Sequence, residues 1–308
     1  LIIKDKSHIS KEIYRGNSFY GIAKVLKEYC KYDNSIKSCI EHGVYFGDYV
    51  DPKETYETRI PGVITFSDNR KKHIRKFTDK PVFCVGPYIV YANTIYNQEE
   101  IEDIKNRFGK TLLVFPAHSI DMIESSFNLD CFLEYIEKFK NKYKFQTVLI
   151  SLYWKDIELG RDKHYLDKGF KVVTAGNRED QNFLNRLKTF ISISDFTLSN
   201  SVGTHIGYCI SLNKPHYLFD QDKKYKGYTK KDIEDEQLEN SNKIKNYEIQ
   251  EVSDAFSIYS EEITNYQLDV CNKYWGINNI KKPKEIKEIL EYCEKEYNIL
   301  MNMKKISK

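Results

Sequence analysis

Residues 195–219, DFTLSNSVGTHIGYCISLNKPHYLF, decide the fold, because they pass from a strand through a polar turn into a helix and on to a second strand. The strand is DFTLSN (195–200), and the helix is the small-residue stretch 201–213. An Asn-Lys-Pro sequence ends the helix before the strand KPHYLF (214–219). Such a strand–helix–strand unit is typical of a parallel sheet covered by helices.

The same alternation runs through the chain from about residue 98. Apolar runs predict strands, and apolar residues at three- to four-residue spacing predict helices. This pattern gives helices at 99–108, 130–144, 155–169 and 178–192 and further strands at 110–119, 145–153 and 170–176. With the two strands of residues 195–219, this predicts a doubly wound, Rossmann-type domain of five strands.

The first hundred residues alternate less regularly. Residues 35–43 predict a short strand that enters a glycine turn, and residues 62–77 predict a strand, a cap at Ser67 or Asp68 and a basic helix. Residues 81–93 predict a buried strand broken by a Gly-Pro pair. A second parallel sheet is the economical interpretation, so we expect an α/β protein with two lobes.

Composition and charge limit the class of protein. The 308 residues, 41% hydrophobic and 30% charged with a net charge of +3, describe a soluble globular protein and argue against nucleic-acid binding. Seven scattered cysteines without a CxxC pair fit a reducing cytoplasm. No run approaches the roughly 18–20 apolar residues of a membrane span, so membrane contact would be peripheral. The basic run at residues 70–76 is either a solvated helix face or a contact with the anionic inner face of the cell membrane.

Polar and small residues collect where the strands of the second half end. In an open parallel sheet, ligands bind outside the carboxyl ends of the strands, which makes these positions candidate ligand contacts. The strand ends carry His118 and Ser119, then Lys155, then Thr174, Ala175, Gly176 and Asn177, and finally Asn200, Ser201, Val202, Gly203, Thr204 and His205.

The turn at residues 200–205 is the strongest of these candidates. Hydroxyl side chains and free backbone N–H groups at the start of a helix form an anion pocket, which the helix dipole strengthens. Gly203 would let a diphosphate approach the backbone, and His205 could donate to a phosphate oxygen. The alternative is an ordinary Ser or Asn helix cap with a glycine for close packing.

His42 is the candidate general base. It follows Glu41 at the end of a predicted strand and precedes a glycine, so it could face a cleft or bind a phosphate; we take His42 and Glu41 as the catalytic candidates. His118 has a similar position in the second half. For both histidines, a packed or exposed turn residue is the alternative.

Several enzyme classes lack their motifs in this chain. It has no GxGxxG, GxxxxGK[ST] or GxSxG, which argues against dinucleotide dehydrogenases, P-loop enzymes and common serine hydrolases. It also has no HExxH, no DxD in a strand-to-helix turn and no His/Asp cluster at ligand spacing. The sequence therefore predicts that the protein binds no metal ion and needs no cofactor.

Residues 110–220 resemble the C-terminal lobe of GT-B glycosyltransferases. In that family a strand ends in a Ser-rich turn, the turn caps a helix that holds the donor diphosphate, and an LxKP motif (here LNKP, 212–215) leads to the next strand. The resemblance is closest to enzymes of bacterial capsule and O-antigen polysaccharides, including the CDP-glycerol glycerophosphotransferase-like group. A QHG-like tripeptide faces the cleft in that group, and Glu41-His42-Gly43 is similar to it.

The resemblance implies a GT-B-like fold of two Rossmann-type lobes whose parallel sheets face a cleft. Residues 1–100 would form the N-terminal, acceptor-side lobe, residues 101–250 the nucleotide-donor lobe, and residues 251–308 the helices that cross back to the first lobe.

It also implies roles for single residues. Ser201, Gly203 and Thr204 would contact the donor phosphates, residues 174–183 would frame the nucleotide, and His118 would be a further donor contact.

The implied activity is metal-independent transfer of a sugar from a CMP-, CDP- or UDP-linked donor to a glycan or lipid-linked acceptor, with His42 as the base. One departure matters: many GT-B enzymes carry a Glu about four residues past the Ser turn, whereas HIGY (205–208) has no carboxylate. This counts against a standard UDP-hexose donor. Transfer of an alditol phosphate from a CDP donor, an epimerase, and a non-catalytic glycan-assembly or glycan-binding protein stay open as alternatives.

Overall fold

The fold is that of a computed structural model, which describes residues 12–51, 57–120, 123–227 and 243–306. The strands in these ranges are β1 (Cys39–Ile40), β2 (Val63–Thr65), β3 (Val82–Cys84), β4 (Thr111–Phe115), β5 (Ile123–Ser126), β6 (Thr147–Ser151), β7 (Lys171–Val173), β8 (Phe196–Ser199), β9 (His216–Leu218) and β10 (Lys224–Gly227). The α-helices are α1 (Ile22–Cys30), α2 (Asp68–Ile74), α3 (Gln98–Phe108), α4 (Leu129–Lys142), α5 (Trp154–Glu158), α6 (Asp162–Asp167), α7 (Phe183–Ile193), α8 (Thr204–Ser211), α9 (Lys243–Phe256), α10 (Asn265–Trp275) and α11 (Pro283–Ile306).

The first lobe is built on a parallel sheet in the order β1-β2-β3. Its strands are short and almost entirely buried, as their apolar sequences require. Ser67, one of the two predicted caps, begins α2: its side chain accepts a hydrogen bond from the backbone N–H of Arg70 at 3.3 Å. The predicted basic helix is therefore present, and it starts where the sequence placed it.

The second lobe contains a five-stranded parallel sheet in the order β7-β6-β4-β8-β9. Its central strand β4 is buried along its whole length, which explains its unbroken apolar sequence. The chain builds outward from β4 in one direction and then returns to add β8 and β9 on the other side. The gap between β4 and β8 is therefore the topological switch point, where sheets of this kind bind ligands.

The C-terminal helices return to both lobes. Helix α11 packs on α1 of the first lobe, where the Tyr32 hydroxyl donates to Glu294 at 3.0 Å and the Tyr29 hydroxyl donates to the Lys281 carbonyl at 3.0 Å. Helix α10 packs on α8 of the second lobe. The predicted α/β fold, with two parallel-sheet lobes and returning helices, is confirmed by this topology. The boundaries at residues 100 and 250 stay predictions.

The sequence shows one long helical pattern from residue 248 to 273, but the structure divides this segment into two helices, α9 and α10. Thr264 and Gln267 form a capping box: the Thr264 hydroxyl accepts from the Gln267 N–H at 3.2 Å, and the Gln267 side chain accepts from the Thr264 N–H at 3.0 Å. A capping box fixes a helix start and satisfies otherwise unpaired N–H groups. The chain therefore begins a new helix here.

Gly207 sets the contact between α8 and α10. A Cβ atom at this position would lie 2.1 Å from Cγ of the buried Trp275 ring, far inside van der Waals contact. The Trp275 Nε1–H also donates to the Thr204 carbonyl at 3.1 Å. Trp275 therefore holds the start of α8 in place, and only a glycine at position 207 leaves room for the indole ring.

We expect Gly207→Ala to lower the free energy of unfolding by about 1–3 kcal/mol, because the added methyl overpacks a filled core. Thermal or urea unfolding measures the loss. In a Trp275→Leu background the same change should cost clearly less, since the ring it collides with is gone. Equal costs in the two backgrounds would contradict this account of the contact.

Candidate functional site

A cleft with a volume of about 330 Å³ lies between the two lobes, at the switch point of the second sheet. Its aromatic wall comes from Tyr20, Tyr45, Phe115, Tyr153, Phe183 and Tyr208. Its polar side chains are His42, His118, Ser151, Ser201, Thr204 and His205. An apolar wall with a few convergent polar groups is typical of a small-molecule site.

Two hydrogen bonds join the lobes beside the cleft. The Tyr20 N–H donates to the Arg178 carbonyl at 2.6 Å, and the Val44 N–H donates to the Thr204 hydroxyl at 3.1 Å. Tyr20 has φ of 57°, in the left-handed region that a non-glycine residue adopts only when its surroundings enforce it. The Thr204 hydroxyl accepts in this contact, so it can still donate to a ligand.

The start of α8 faces the cleft. Residues 201–205, all predicted donor contacts, line it, Val202 among them. The residue before the helix is Gly203, so no side chain caps the first N–H groups of α8. A Cβ atom on Gly203 would lie 3.0 Å from the His205 ring, so the glycine also makes room for that ring. An uncapped helix start, with the positive end of its dipole, is suited to an anion.

His205 is held rigidly at this helix start. Its ring stacks on Phe115 at 4.9 Å between centroids, and its buried Nε2 atom has no hydrogen-bond partner among the described residues. Burial, and secondly the charge of His118, lower the pKa of His205 to about 3. The neighbouring His216 lies behind it, hydrogen-bonded to the hydroxyls of Thr197 and Ser199 at 2.8 and 3.0 Å. His205 is therefore neutral in the empty cleft and carries an unused polar atom.

His42 lies on the opposite wall, in the first lobe. Its Nε2 lies 3.2 Å from the Tyr45 hydroxyl, its ring edge packs on Phe19, and its buried Nδ1 has no partner among the described residues. Burial, and secondly the Arg178 charge, lower the pKa of His42 to about 4, against an opposing effect of Asp51. At neutral pH the imidazole is uncharged, as a proton acceptor must be.

Glu41 does not face the cleft, which corrects its assignment as a catalytic candidate. Its carboxylate is fully buried on the other side of the strand end, where Arg70 donates to it at 2.6–3.0 Å and the Thr65 hydroxyl at 2.6 Å. Arg70 also donates to the carbonyls of Gly47 and Tyr49. The ion pair therefore shapes the loop that carries His42 and Tyr45, and its role is structural.

Three predicted donor contacts outside the turn after β7 are absent from the cleft lining. Ser119 is fully buried. The Asn200 amide oxygen accepts from the Ala117 N–H at 2.6 Å and so fastens the ends of β4 and β8 to each other. Lys155 Nζ lies 2.9 Å from Glu158, turned along its own helix. These side chains support the strand ends without reaching the cavity.

The turn after β7 contributes one residue, Ala175, to the lining. The Thr174 hydroxyl accepts from the Gly176 N–H at 3.1 Å, and the Asn177 side chain accepts from the Glu179 N–H at 2.8 Å. The polar side chains of this turn are therefore used in its own folding. By contrast, His118 does line the cleft, beside Tyr153 at 5.3 Å between ring centroids.

The predicted basic run divides into two groups. Arg70 is buried in its ion pair with Glu41, and His73 is buried within hydrogen-bond distance of the carboxylates of Asp48 and Glu248 (2.5 and 3.0 Å). The exposed remainder, at residues 71–76, forms the outer face of α2 and its end. The run is therefore partly structural, which a sequence pattern cannot distinguish from a surface patch.

The aromatic wall was the largest feature that the sequence analysis missed. Tyr20 comes from the 3₁₀-helical segment Arg15–Gly21, Tyr45 comes from a loop of the first lobe, and Tyr208 comes from inside α8. In a chain with 24 Tyr and 17 Phe, no spacing marks these rings as a set. Only the folding of separate segments around the cleft brings them together.

The cleft contains few charged groups. Among the described residues that line it, none is Lys, Arg, Asp or Glu. Within the described ranges, no group of three or more His, Cys, Asp or Glu side chains is placed to hold a metal ion. The polar chemistry that these residues offer is therefore that of histidines, hydroxyls and backbone N–H groups.

No helix in the described part of the chain is long and apolar enough to cross a membrane. No family model and no curated protein matches the sequence.

Several solved structures are similar to the chain, and two of them are a polymerase and an epimerase. The wall teichoic acid polymerase TagF is 12% identical, with a TM-score of 0.47 and coverage of 87% of this chain and 70% of that chain. The UDP-GlcNAc 2-epimerase of Methanocaldococcus jannaschii, in complex with UDP-GlcNAc and UDP, is 13% identical, with a TM-score of 0.42 and coverage of 88% and 73%. Both TM-scores are below 0.5, so the fold rests on the sheet topology described above.

Proposed function

We propose that the protein is a glycosyltransferase that moves a sugar from a nucleotide sugar to a cell-surface glycan or lipid-linked acceptor. One observation carries the proposal: the uncapped start of α8, at the switch point of the second sheet, faces His42 of the first lobe across an aromatic-walled cleft. One wall is suited to phosphate and the other offers a base. A sugar joined to a diphosphate presents its reacting carbon between such groups.

The phosphate groups of the donor would bind at the start of α8. Backbone N–H groups of residues 203–205 and the hydroxyls of Ser201 and Thr204 would donate to the phosphate oxygens. As the bond between the sugar carbon and the phosphate oxygen breaks, negative charge grows on that oxygen. Donors fixed in advance stabilise this charge without reorganising, which is the main electrostatic route to catalysis. No metal ion is required by this scheme.

His42 would accept the proton of the acceptor hydroxyl as its oxygen attacks the sugar carbon. The imidazole is neutral at neutral pH, and its Nδ1 has no partner among the described residues. The negative donor raises the pKa of a nearby imidazole, which makes His42 a stronger base when the donor is bound. Closure of the two lobes would exclude water, which otherwise hydrolyses the donor.

The absence of carboxylates from the described lining bears on the alternatives. We expect an epimerase to need carboxylates in the cleft, and none of the described residues that line it is Asp or Glu, which disfavours that activity. The same observation supports CMP- or CDP-linked donors over the usual UDP-hexose binding, and it leaves alditol phosphate transfer as the second candidate. The cytoplasmic location, the capsule or O-antigen pathway and the membrane contact stay predictions.

We expect at least one of CMP, CDP, UDP and GDP, or their sugar or glycerol conjugates, to raise the melting temperature of the wild-type protein. Gly203→Leu should abolish this shift, because its side chain would enter the space of His205 and the phosphate. Cys131→Leu, a small-to-large change at an exposed residue of α4 outside the cleft lining, is the matched control.

Two outcomes would overturn the proposal: no ligand of the panel binds, or Gly203→Leu binds as well as wild type. Turnover of CDP-glycerol without turnover of any sugar nucleotide would favour alditol phosphate transfer. Binding without turnover of any conjugate, in the presence of extracted acceptor glycan, would identify a non-catalytic binding protein.

A further inference from the structure

The cleft would have to balance the negative charge of a phosphate ligand without a lysine or arginine in its described lining. A donor diphosphate carries two negative charges, and the start of a helix supplies roughly half a positive charge. None of the described residues that line the cleft is Lys or Arg. Arg178 lies outside the lining, over the Phe19 ring at 5.0 Å, on the side of His42. Among the described residues that line the donor side of the cleft, the groups that can become positive are the imidazoles of His118 and His205.

These two histidines flank the place proposed for the phosphates. His118 follows β4, and His205 lies in the first turn of α8, which follows β8; β4 and β8 are neighbouring parallel strands. Both side chains line the cleft, His118 with an exposed ring and His205 with a buried Nε2 that has no partner among the described residues. A phosphate oxygen between them would give that nitrogen its missing partner.

Resting on the proposed function, we propose that His118 and His205 act as one site that takes up a proton together with the donor phosphates. A proton on His118 lowers the pKa of His205, so one proton on the pair is favoured over two. The imidazolium that forms with the ligand replaces the lysine or arginine that this cleft lacks. The protein thereby binds an anion without keeping a buried charge when the cleft is empty.

The groups around the pair are consistent with this behaviour. His205 faces Phe115 on β4 and His216 on β9, and His216 is committed to two hydroxyls. His118 faces Tyr153, and Asp156 behind it favours the protonated form. Burial lowers the pKa of His205. His118 keeps an exposed edge, but the protein packed around the rest of its ring desolvates it and lowers its pKa as well, so both imidazoles are neutral near pH 7 without a ligand.

The size of the expected effect follows from Coulomb's law. One phosphate charge about 4 Å from an imidazole, at an effective dielectric constant of about 20, raises its pKa by about three units. Two phosphate charges raise it further. Such a shift carries the pair from neutral to largely protonated near pH 7, which predicts uptake of close to one proton per donor bound.

Calorimetric titration in buffers of different ionisation enthalpy measures this uptake directly. The probes are CDP-glycerol, UDP-glucose and a CMP-linked sugar, because their phosphates are esterified and have no proton to gain between pH 6 and 8. We expect about one proton taken up at pH 7 with whichever probe binds, and a Kd that falls by up to tenfold per unit as pH drops from 8 to 7. A Kd independent of pH with no proton uptake would overturn the proposal.

Variants assign the proton to the pair. His118→Gln/His205→Gln should bind without proton uptake, whereas His42→Gln should keep the uptake, and so should His164→Gln, which changes an exposed histidine of α6. Uptake that disappears in His42→Gln instead would overturn the assignment. Failure of all three probes to bind the wild-type protein would refute the proposed function, which is a different result from binding without a proton.

Discussion

Replacing Arg70 with leucine is expected to lower the free energy of unfolding by about 3–5 kcal/mol, the cost of leaving a buried carboxylate without its partner. Arg70 and Glu41 are both almost completely buried, and the guanidinium approaches the carboxylate to 2.6 Å. The substitution also removes the hydrogen bonds that Arg70 donates to the carbonyls of Gly47 and Tyr49. Urea unfolding followed by circular dichroism measures the change.

Two comparisons make this prediction specific. Arg59→Leu, which breaks an exposed pair with Glu57, should cost less than about 1 kcal/mol. The double change Glu41→Leu/Arg70→Leu should recover part of the loss, because no charge is then left unpaired. If Arg70→Leu costs no more than Arg59→Leu, the buried ion pair does not hold the His42 loop as described.

Replacing His42 with glutamine is expected to lower kcat by about 10²–10⁴-fold, the usual contribution of a general base. Donor affinity and melting temperature should change little, because glutamine is a polar side chain of similar reach whose amide can take over the hydrogen bond between the His42 Nε2 and the Tyr45 hydroxyl. Turnover of the donor identified by the binding panel is the measurement. His164→Gln serves as the control on an exposed histidine.

The pH dependence gives an independent check on His42. Its pKa is lowered to about 4 in the folded protein, so the basic form is present above that pH and is lost as the pH falls toward it. The negative charge of the bound donor favours the imidazolium and therefore raises the pKa of His42 above this value. The acid limb of kcat should therefore lie above pH 4 in the wild type and be absent in His42→Gln. An unchanged kcat in the variant would remove His42 from the mechanism.

The strands, helices and polar turn were predictable because their causes are local. An apolar run of strand length, such as residues 111–115, predicts a buried strand, and the small residues before α8 mark a helix start. The candidates His42, His118 and His205 were found by their positions at predicted strand ends, and all three line the cleft.

Glu41 shows what the sequence analysis overlooked. Neighbouring residues of an extended segment point to opposite sides. A histidine facing the cleft therefore sends the residue before it away from the cleft, toward Arg70. The partner lies 29 positions away, so the sequence alone does not identify the ion pair.

The aromatic wall and the Trp275 anchor could not be predicted for a different reason. They depend on the packing of separate segments, such as α10 on α8, that share no sequence pattern. Gly207 was noticed only as a place where a carboxylate is absent. The structure shows why glycine is needed at this position: the indole ring of Trp275, on α10, occupies the space that a Cβ atom on α8 would need.

The central claim is that donor phosphates bind at the start of α8, across the cleft from His42. A crystal structure of the protein with the tightest-binding nucleotide conjugate tests it most directly. We expect phosphate oxygens within about 3.2 Å of backbone N–H groups of residues 203–205, with a hydrogen bond to the His205 Nε2. Phosphates bound away from this helix start, with the cleft empty, would contradict it.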